Sequence, residues 1–216
     1  MLRFFGGCHM TQNDNWHVGS AIFGSHSGSI SKPAVRTSRS HPLEVASIPV
    51  GTKGGRIGVT FCPGKKGPSA FGAPWNRDLT VDIEAIRAWG ASSVLTLIEP
   101  HEFDLLSVKG LPDAVRAAGL VWHQAPIPDV SIPGPAFIAA WRSIGPRISE
   151  QLRTGGSIVV HCRGGLGRAG MVAAMLLVTM GEDPRRAIER VRAVRPGAIE
   201  TPAQEAYVLS QEAPNV

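Results

Sequence analysis

One stretch of the chain, residues 157–177, constrains the fold more than any other. It opens with the β-branched run Ser157-Ile158-Val159-Val160, which is typical of a buried strand, and closes with the apolar run 171–177, which predicts a buried helix. Between them lies His161-Cys162-Arg163-Gly164-Gly165-Leu166-Gly167-Arg168-Ala169-Gly170. A strand that turns through glycines into a helix N-terminus gathers backbone N–H groups at the positive end of the helix dipole. The stretch therefore predicts an anion-binding loop between a strand and a helix.

Two side chains of this loop indicate chemistry as well as binding. Cys162 opens the loop, and a positive field that holds an anion also favours a thiolate, so Cys162 is predicted to be ionised at neutral pH. Arg168 closes the loop, and its planar guanidinium can hold two oxygens of one phosphate. The structural alternative is a buried cysteine beside a glycine-rich turn, but such cysteines do not usually lie in an electropositive cradle.

Short strands and helices alternate along the remainder of the chain. The alternation predicts an α/β fold, with a central, mostly parallel sheet flanked by helices and with ligands at the carboxyl ends of the strands. Cys162, Asp129 and the segment 99–102 each follow a predicted strand, so they are expected to converge on one edge of the sheet. The predicted strands are 47–50 and 56–61 (a hairpin), 93–98, 120–124 and 157–161, and the predicted helices are 80–90, 111–119, 135–153, 168–180, 184–194 and 202–211.

The loop resembles the phosphate loop of the protein tyrosine phosphatases, in which five residues separate the cysteine from the arginine. More widely, residues 47–211 resemble the cyclin-dependent-kinase-associated phosphatase family, a branch of the dual-specificity phosphatases. Besides the loop, the matching segments are Phe61-Cys62-Pro63-Gly64-Lys65-Lys66, Arg77-Asp78-Leu79, Leu97-Ile98-Glu99-Pro100-His101-Glu102, Pro126-Ile127-Pro128-Asp129 and Gly197-Ala198-Ile199-Glu200-Thr201-Pro202-Ala203-Gln204.

The resemblance implies a two-step hydrolysis through a cysteinyl-phosphate. Cys162 would be the nucleophile, Asp129 on its Pro-rich loop the general acid, and Arg168 the clamp on the phosphate oxygens. His161 and Gln204 match family positions near the site. His161 would support the thiolate or be a satisfied strand-end histidine, and Gln204 would orient the attacking water. The phosphate-binding residues implied by the loop are Arg163, Gly164, Gly165, Leu166, Gly167 and Arg168.

Ala169 departs from the family pattern, and the segment 99–102 has two interpretations. The family places Ser or Thr directly after the loop arginine, where this chain has Ala169, so a hydroxyl that would help the sulfur leave is missing. Glu99, His101 and Glu102 would either shape substrate binding or start a helix, and the sequence does not separate these.

The expected substrate is a phosphorylated protein carrying phosphotyrosine, phosphoserine or phosphothreonine. Inositide-directed relatives carry basic residues at the middle of the loop, where this chain has Gly164, Gly165 and Leu166. No metal or cofactor is expected, because the loop and Arg168 supply the positive charge. Two alternatives stay open: a phosphate-binding pseudophosphatase and a sulfurtransferase.

Charge and hydropathy argue against nucleic-acid and membrane partners. The net charge of +5, from 22 basic and 17 acidic residues, comes without a Lys/Arg tract and with a single Tyr, so no nucleic-acid surface is predicted. The apolar run 171–180 is too short to cross a bilayer, and residues 1–7 lack the apolar core of a signal peptide. Three unpaired cysteines suit a reducing compartment, so a cytoplasmic protein is expected. Cys62 is interpreted as a buried thiol, with a redox partner for Cys162 as the alternative.

Residues 1–46 differ in composition from the remainder. They are rich in Ser and Gly, which predicts a disordered N-terminal tail followed by a catalytic domain over 47–216. Four histidines lie in the tail without the regular spacing of metal ligands, and no metal site is predicted from them: His9, His17, His26 and His41.

Overall fold

A central sheet organises the computed structural model, which describes residues 35–69 and 72–212. Its strands, in chain order, are β1 (Ala46–Val50), β2 (Gly55–Thr60), β3 (Lys66–Gly67), β4 (Trp75–Asn76), β5 (Ser93–Thr96), β6 (Val121–Gln124) and β7 (Ser157–His161). Five of them form one sheet in the order β1-β2-β7-β5-β6, and β3 and β4 form a separate two-stranded ribbon. Neither strand of this ribbon is among the strands predicted from the sequence.

The direction of the strands sets the position of the site. β1 and β2 form the predicted antiparallel hairpin, whose turn includes Gly51 and Gly54 at φ 60° and 84°. The pairs β2–β7, β7–β5 and β5–β6 are all parallel. The last residues of these strands are in register, with His161 aligned to Thr60 and to Thr96. The predicted α/β class with a mostly parallel sheet is confirmed, and the carboxyl ends of the parallel strands share one edge.

Helices cover the sheet, and β7 is buried throughout. Ile158 and Val160 of β7 pack in one apolar cluster, and Val159, which points to the opposite face, packs in another. Alternation of this kind is expected of a central parallel strand covered on both sides. The helices are α1 (Leu79–Ala88), α2 (Pro100–Leu105), α3 (Leu111–Ala117), α4 (Pro135–Arg153), α5 (Gly167–Thr179), α6 (Pro184–Val194) and α7 (Pro202–Leu209). α4 runs without interruption through Pro146.

Residues 35–45 are part of the folded unit, which corrects the predicted boundary between 46 and 47. Ser38 is buried and accepts a hydrogen bond from Asp78 N–H at 2.9 Å. The carbonyl of His41 accepts from Arg77 Nη1 at 2.7 Å, and that of Glu44 accepts from Thr60 Oγ1 at 2.8 Å. The acceptors at His41 and Glu44 are backbone carbonyls, so a composition rich in Ser and Gly does not reveal them. Residues 1–34 of the predicted tail lie outside the described residues.

A chain that begins at residue 46 is therefore expected to unfold at a lower temperature than one that begins at residue 35. Without residues 35–45, Arg77 Nη1 and Thr60 Oγ1 lose the backbone carbonyls to which they donate. Each buried donor without a partner costs about 1–3 kcal/mol. The two donors together cost about 2–6 kcal/mol, which corresponds to a fall of roughly 4–24 °C in the midpoint of thermal unfolding followed by circular dichroism. Equal midpoints for the two chains would show that the segment adds no stability.

Candidate active site

The loop that joins β7 to α5 lies at the carboxyl edge of the sheet, as predicted. Cys162 directly follows β7, and its buried Sγ accepts a hydrogen bond from Gly165 N–H at 3.2 Å. Gly165 has φ 73°, and a Cβ at this position would lie 2.4 Å from the backbone nitrogen of Phe61. Glycine is therefore required here on two grounds, the positive φ and the close approach of the loop to the end of β2.

The carboxylate of Glu200 lies at the N-terminus of α5. Gly167 N–H donates to a carboxylate oxygen of Glu200 at 2.8 Å, and a Cβ on Gly167 would lie 2.4 Å from that oxygen. A carboxylate is stabilised at this end of a helix by the dipole. Gly167 is one of the residues predicted to bind phosphate, but in this structure its N–H is directed to Glu200. The neighbouring Ala169 is fully buried in the apolar core.

Arg168 presents one edge of its guanidinium for binding. The residue is 1% exposed. Nη1 donates to Glu102 at 2.6 Å and to the carbonyl of Ile127 at 3.0 Å, while Nη2 donates to Glu102 at 2.9 Å and lies 2.7 Å from Asp129. The buried Nε has no hydrogen-bond partner among the described residues. Nε and Nη2 share one edge of the planar group, which is the edge that can hold two oxygens of an oxyanion.

Glu102 fixes Arg168 in this orientation. The sequence leaves the segment 99–102 as either a helix start or a substrate contact, and the structure makes it the start of α2, with a capping box between Glu99 and Glu102. Glu102 is 2% exposed and binds Arg168 through both carboxylate oxygens. Burial opposes the ionisation of Glu102, but the hydrogen bonds from Arg168 and from the Glu99 backbone lower its pKa overall.

The charge of Arg168 is maintained by the same contacts. Burial opposes that charge, yet the hydrogen bond to Glu102 and the nearby Cys162 and Asp129 raise the pKa of Arg168 overall. Sequence reasoning did not assign Glu102 to Arg168. The one available signal was that the segment 99–102 follows β5, at the edge of the sheet where Arg168 also lies.

Asp129 faces the open edge of Arg168. One carboxylate oxygen lies 2.7 Å from Arg168 Nη2, and the other lies 3.6 Å from Arg163 Nη1. Val130, the next residue, has φ 58°, an unusual backbone conformation for a β-branched residue. Its N–H donates to the Asp129 carboxylate at 3.1 Å. The predicted acid and the loop arginine are thus brought into direct contact, with the Asp129 side chain 45% exposed.

His161 contacts the loop backbone rather than the sulfur. The ring is fully buried, with Nε2 2.8 Å from Thr96 Oγ1 and Nδ1 3.3 Å from the carbonyl oxygen of Cys162. Burial, together with the charge of Arg168, outweighs the bond to Cys162 and lowers the pKa of His161 to about 4. The ring is therefore neutral at physiological pH. It ties the first loop residue to β5.

Gln204 lies beside the loop, and its amide is engaged by backbone groups. Its Oε1 accepts from Glu200 N–H at 3.0 Å, and its Nε2 donates to the carbonyl of Ser131 at 3.1 Å. The side chain is fully buried. Gln204 therefore links α7 to the loop that carries Asp129, and its predicted role with water remains a prediction.

Cys62 lies close to the site. It is fully buried, its N–H donates to the carbonyl of Arg163 at 3.4 Å, and burial raises the pKa of its thiol. Cys62 and Cys162 are both free cysteines.

Within residues 35–69 and 72–212, no group of three His, Cys, Asp or Glu residues is placed to hold a metal ion. No helix in the same residues is long and apolar enough to cross a membrane.

Comparisons of sequence identify relatives. Residues 124–208 match the family model described as Swiss Army Knife protein, DSP-PTPase phosphatase domain. Cyclin-dependent kinase inhibitor 3 of Rattus norvegicus is 33% identical over 135 residues, which cover 61% of this chain and 62% of that protein. Tyrosine-protein phosphatase CDC14 of Saccharomyces cerevisiae is 27% identical over 151 residues, which cover 69% of this chain and 26% of that protein. The chain thus spans less than two thirds of either relative.

Solved structures share the fold. A kinase associated phosphatase whose catalytic site cysteine is replaced by serine superposes with a TM-score of 0.67 at 26% identity, covering 77% of this chain and 92% of the other. Tk-PTP in its active form superposes with a TM-score of 0.56 at 26% identity, covering 76% and 96%. The chain is therefore similar in sequence and fold to the dual-specificity and protein tyrosine phosphatases. Among these proteins it resembles the cyclin-dependent-kinase-associated phosphatases, as its loop and flanking motifs predict.

Proposed function

We propose that the protein is a cysteine-dependent phosphomonoester hydrolase of the dual-specificity type. The observation that carries the proposal is the edge of Arg168 beside the cysteine loop, where a buried Nε lacks a partner among the residues that the structure describes and Nη2 holds the carboxylate of Asp129. A phosphoryl group placed there gives Nε an acceptor and takes the place of the carboxylate on Nη2. The exchange relieves a buried N–H whose isolation costs about 1–3 kcal/mol.

The first step forms a bond between sulfur and phosphorus. The Cys162 thiolate attacks the phosphorus, the bond from phosphorus to the leaving oxygen breaks, and Asp129 transfers a proton to that oxygen. Arg168 and the N–H groups of the loop hold the remaining oxygens as negative charge shifts onto them. The Asp129 carboxylate lies 2.7 Å from Arg168 Nη2, so a phosphate bound at that edge would displace it and leave the carboxyl group next to the phosphate.

The second step regenerates the cysteine. Asp129, now a carboxylate, takes a proton from water, the water oxygen bonds to phosphorus, and the bond to Cys162 Sγ breaks. The departing sulfur carries negative charge, and the hydrogen bond from Gly165 N–H stabilises it. No metal ion takes part in either step, because Arg168 and the loop provide the positive charge.

The proposed substrate is a phosphorylated protein with phosphotyrosine, phosphoserine or phosphothreonine. The uncharged middle of the loop, at Gly164, Gly165 and Leu166, supports this class, and Arg163 lies near Asp129 rather than standing free. The names of the relatives point the same way, since they include a kinase associated phosphatase and a tyrosine-protein phosphatase. A thiolate nucleophile needs a reducing compartment, which supports a cytoplasmic location.

Rapid mixing with an aryl phosphate in excess chelator tests the proposal. The expected result is release of phenol followed by release of phosphate, with a phosphorylated cysteine recovered after acid quenching. Binding of vanadate without release of phenol would instead indicate a pseudophosphatase. Conversion of thiosulfate to thiocyanate, with the aryl phosphate left intact, would indicate a sulfurtransferase.

Ala169 is expected to make the second step slow. A hydroxyl at this position would hydrogen-bond the departing sulfur, and a bond to a charged group is worth about 1.5–3 kcal/mol, or roughly 10–100-fold in rate. We therefore expect a burst close to one phenol per site, then slower turnover. Ala169→Ser should raise the steady rate and shrink the burst. If the wild type shows no burst and the variant changes neither phase, formation of the intermediate limits the rate.

A further inference from the structure

The outward-facing carbonyl groups of the phosphate loop are held by two cationic side chains. Lys65 Nζ donates to the carbonyl of Arg163 at 3.3 Å, and Arg195 Nε donates to the carbonyl of Gly165 at 3.0 Å. These two cations reach the loop from separate parts of the chain, Lys65 just before β3 and Arg195 at the end of α6. Each of these two carbonyl groups is therefore held by a cationic side chain.

Because of peptide geometry, these two hydrogen bonds also affect the anion site. In a trans peptide, the C=O of one residue and the N–H of the next point in opposite directions. A carbonyl of Arg163 held outward directs the N–H of Gly164 inward, and a carbonyl of Gly165 held outward directs the N–H of Leu166 inward. A cation on the carbonyl also polarises the peptide group, which makes the same N–H a stronger donor.

Lys65 is largely buried, and its ammonium group lies close to two aromatic rings. It is 9% exposed, and its Nζ lies 4.5 Å from the centre of the Phe61 ring and 4.8 Å from that of Trp75. Burial lowers the pKa of Lys65 to about 8, against the opposing effects of the Cys62 and Cys162 sulfurs. The charged and titratable groups that influence the charge of Lys65 are Cys62, Cys162, Arg77 and Arg36, and Arg77 is itself paired with Asp82.

We infer that Lys65 and Arg195 are positioning residues of the phosphate loop, which hold its carbonyl groups outward and strengthen its N–H donors toward a bound phosphoryl group. The inference rests on the proposed function of the site. It predicts a charge dependence of anion affinity that a purely structural lysine does not produce. Lys65 contacts the loop backbone and so acts through the N–H groups rather than on the substrate.

Affinity for tungstate, measured by titration calorimetry on the full chain, tests the inference without turnover. Lys65→Met and Arg195→Met should each weaken binding by about tenfold, because each removes a charged hydrogen bond to the loop. Lys65→Arg should retain most of the affinity. Lys66→Met removes the exposed cation next to Lys65 in sequence, and Arg185→Met removes an exposed cation at the opposite end of α6 from Arg195. Both are matched controls and should bind as the wild type does.

A pH series keeps the test independent of how well the variants fold. Tungstate keeps its charge across the series, and a Cys162→Ser background removes the thiol beside the bound anion. His161 is neutral throughout, because its pKa is about 4. Affinity should fall as the pH rises through the pKa of Lys65, which burial lowers and which loses the raising effect of Cys162 in this background, and Lys65→Arg should abolish this fall.

The outcomes separate the inference from the function it rests on. Affinity that is independent of pH, or equal in Lys65→Met, Arg195→Met and their controls, would overturn the positioning role while turnover by the wild type stands. Failure of the wild type to bind tungstate or to release phenol would overturn the proposed function itself. Weakened binding in Lys65→Met, with recovery in Lys65→Arg, supports the inference.

Discussion

Replacement of Cys162 by serine is expected to abolish turnover of an aryl phosphate while preserving its binding. The serine hydroxyl is not ionised at neutral pH and is a poor nucleophile without an adjacent base. The neutral ring of His161 does not provide one, because it bonds Thr96 and the Cys162 carbonyl. The binding groups are untouched, since Arg168 is held by Glu102 and by the carbonyl of Ile127.

Two measurements check this expectation. Steady-state release of phenol by Cys162→Ser should fall to the rate without enzyme, and calorimetry should show that tungstate affinity is retained or increased. Cys62→Ser is the matched control, because it replaces the other buried thiol with the same side chain. It should keep the burst of phenol. Comparable turnover by Cys162→Ser and the wild type would exclude a covalent mechanism through this residue.

Asp129→Asn is expected to lower turnover of an alkyl phosphate by roughly 10²–10⁴-fold, the usual contribution of general acid catalysis. The structure adds a second, opposite effect. The Asp129 carboxylate lies 2.7 Å from Arg168 Nη2, on the edge that the phosphate needs. A neutral amide competes less well for this cation and does not repel a dianion. Affinity for inorganic phosphate should therefore increase as turnover falls.

Dependence on the leaving group identifies the origin of the loss. A nitrophenyl ester needs little protonation of its leaving oxygen, so its turnover should fall much less than that of an alkyl ester. Asp113→Asn, at an exposed carboxylate that pairs with Arg116, is the control and should leave both rates unchanged. Equal losses on the two esters in Asp129→Asn would mean that the carboxylate shapes the loop and does not act as an acid.

Local sequence patterns were sufficient for the framework of this protein. The hairpin of β1 and β2, the parallel strands and the loop from Cys162 to Arg168 are encoded by neighbouring residues, through alternation, helical spacing and glycines. Their order along the chain then implies a parallel sheet, which places the loop and Asp129 at one edge. The resemblance to the phosphatases rests on the same contiguous motifs, and the comparisons confirm it.

The tertiary structure alone decided how the site is charged and oriented. Glu102 binds Arg168 across 66 residues of sequence, and Lys65 reaches the Arg163 carbonyl across 98. No local period predicts such pairs, because they depend on which strand ends lie side by side and on how deeply each group is buried. The packing of residues 35–45 was missed for the same reason. A motif states which groups are present, whereas burial and neighbours at a distance determine their partners and their protonation.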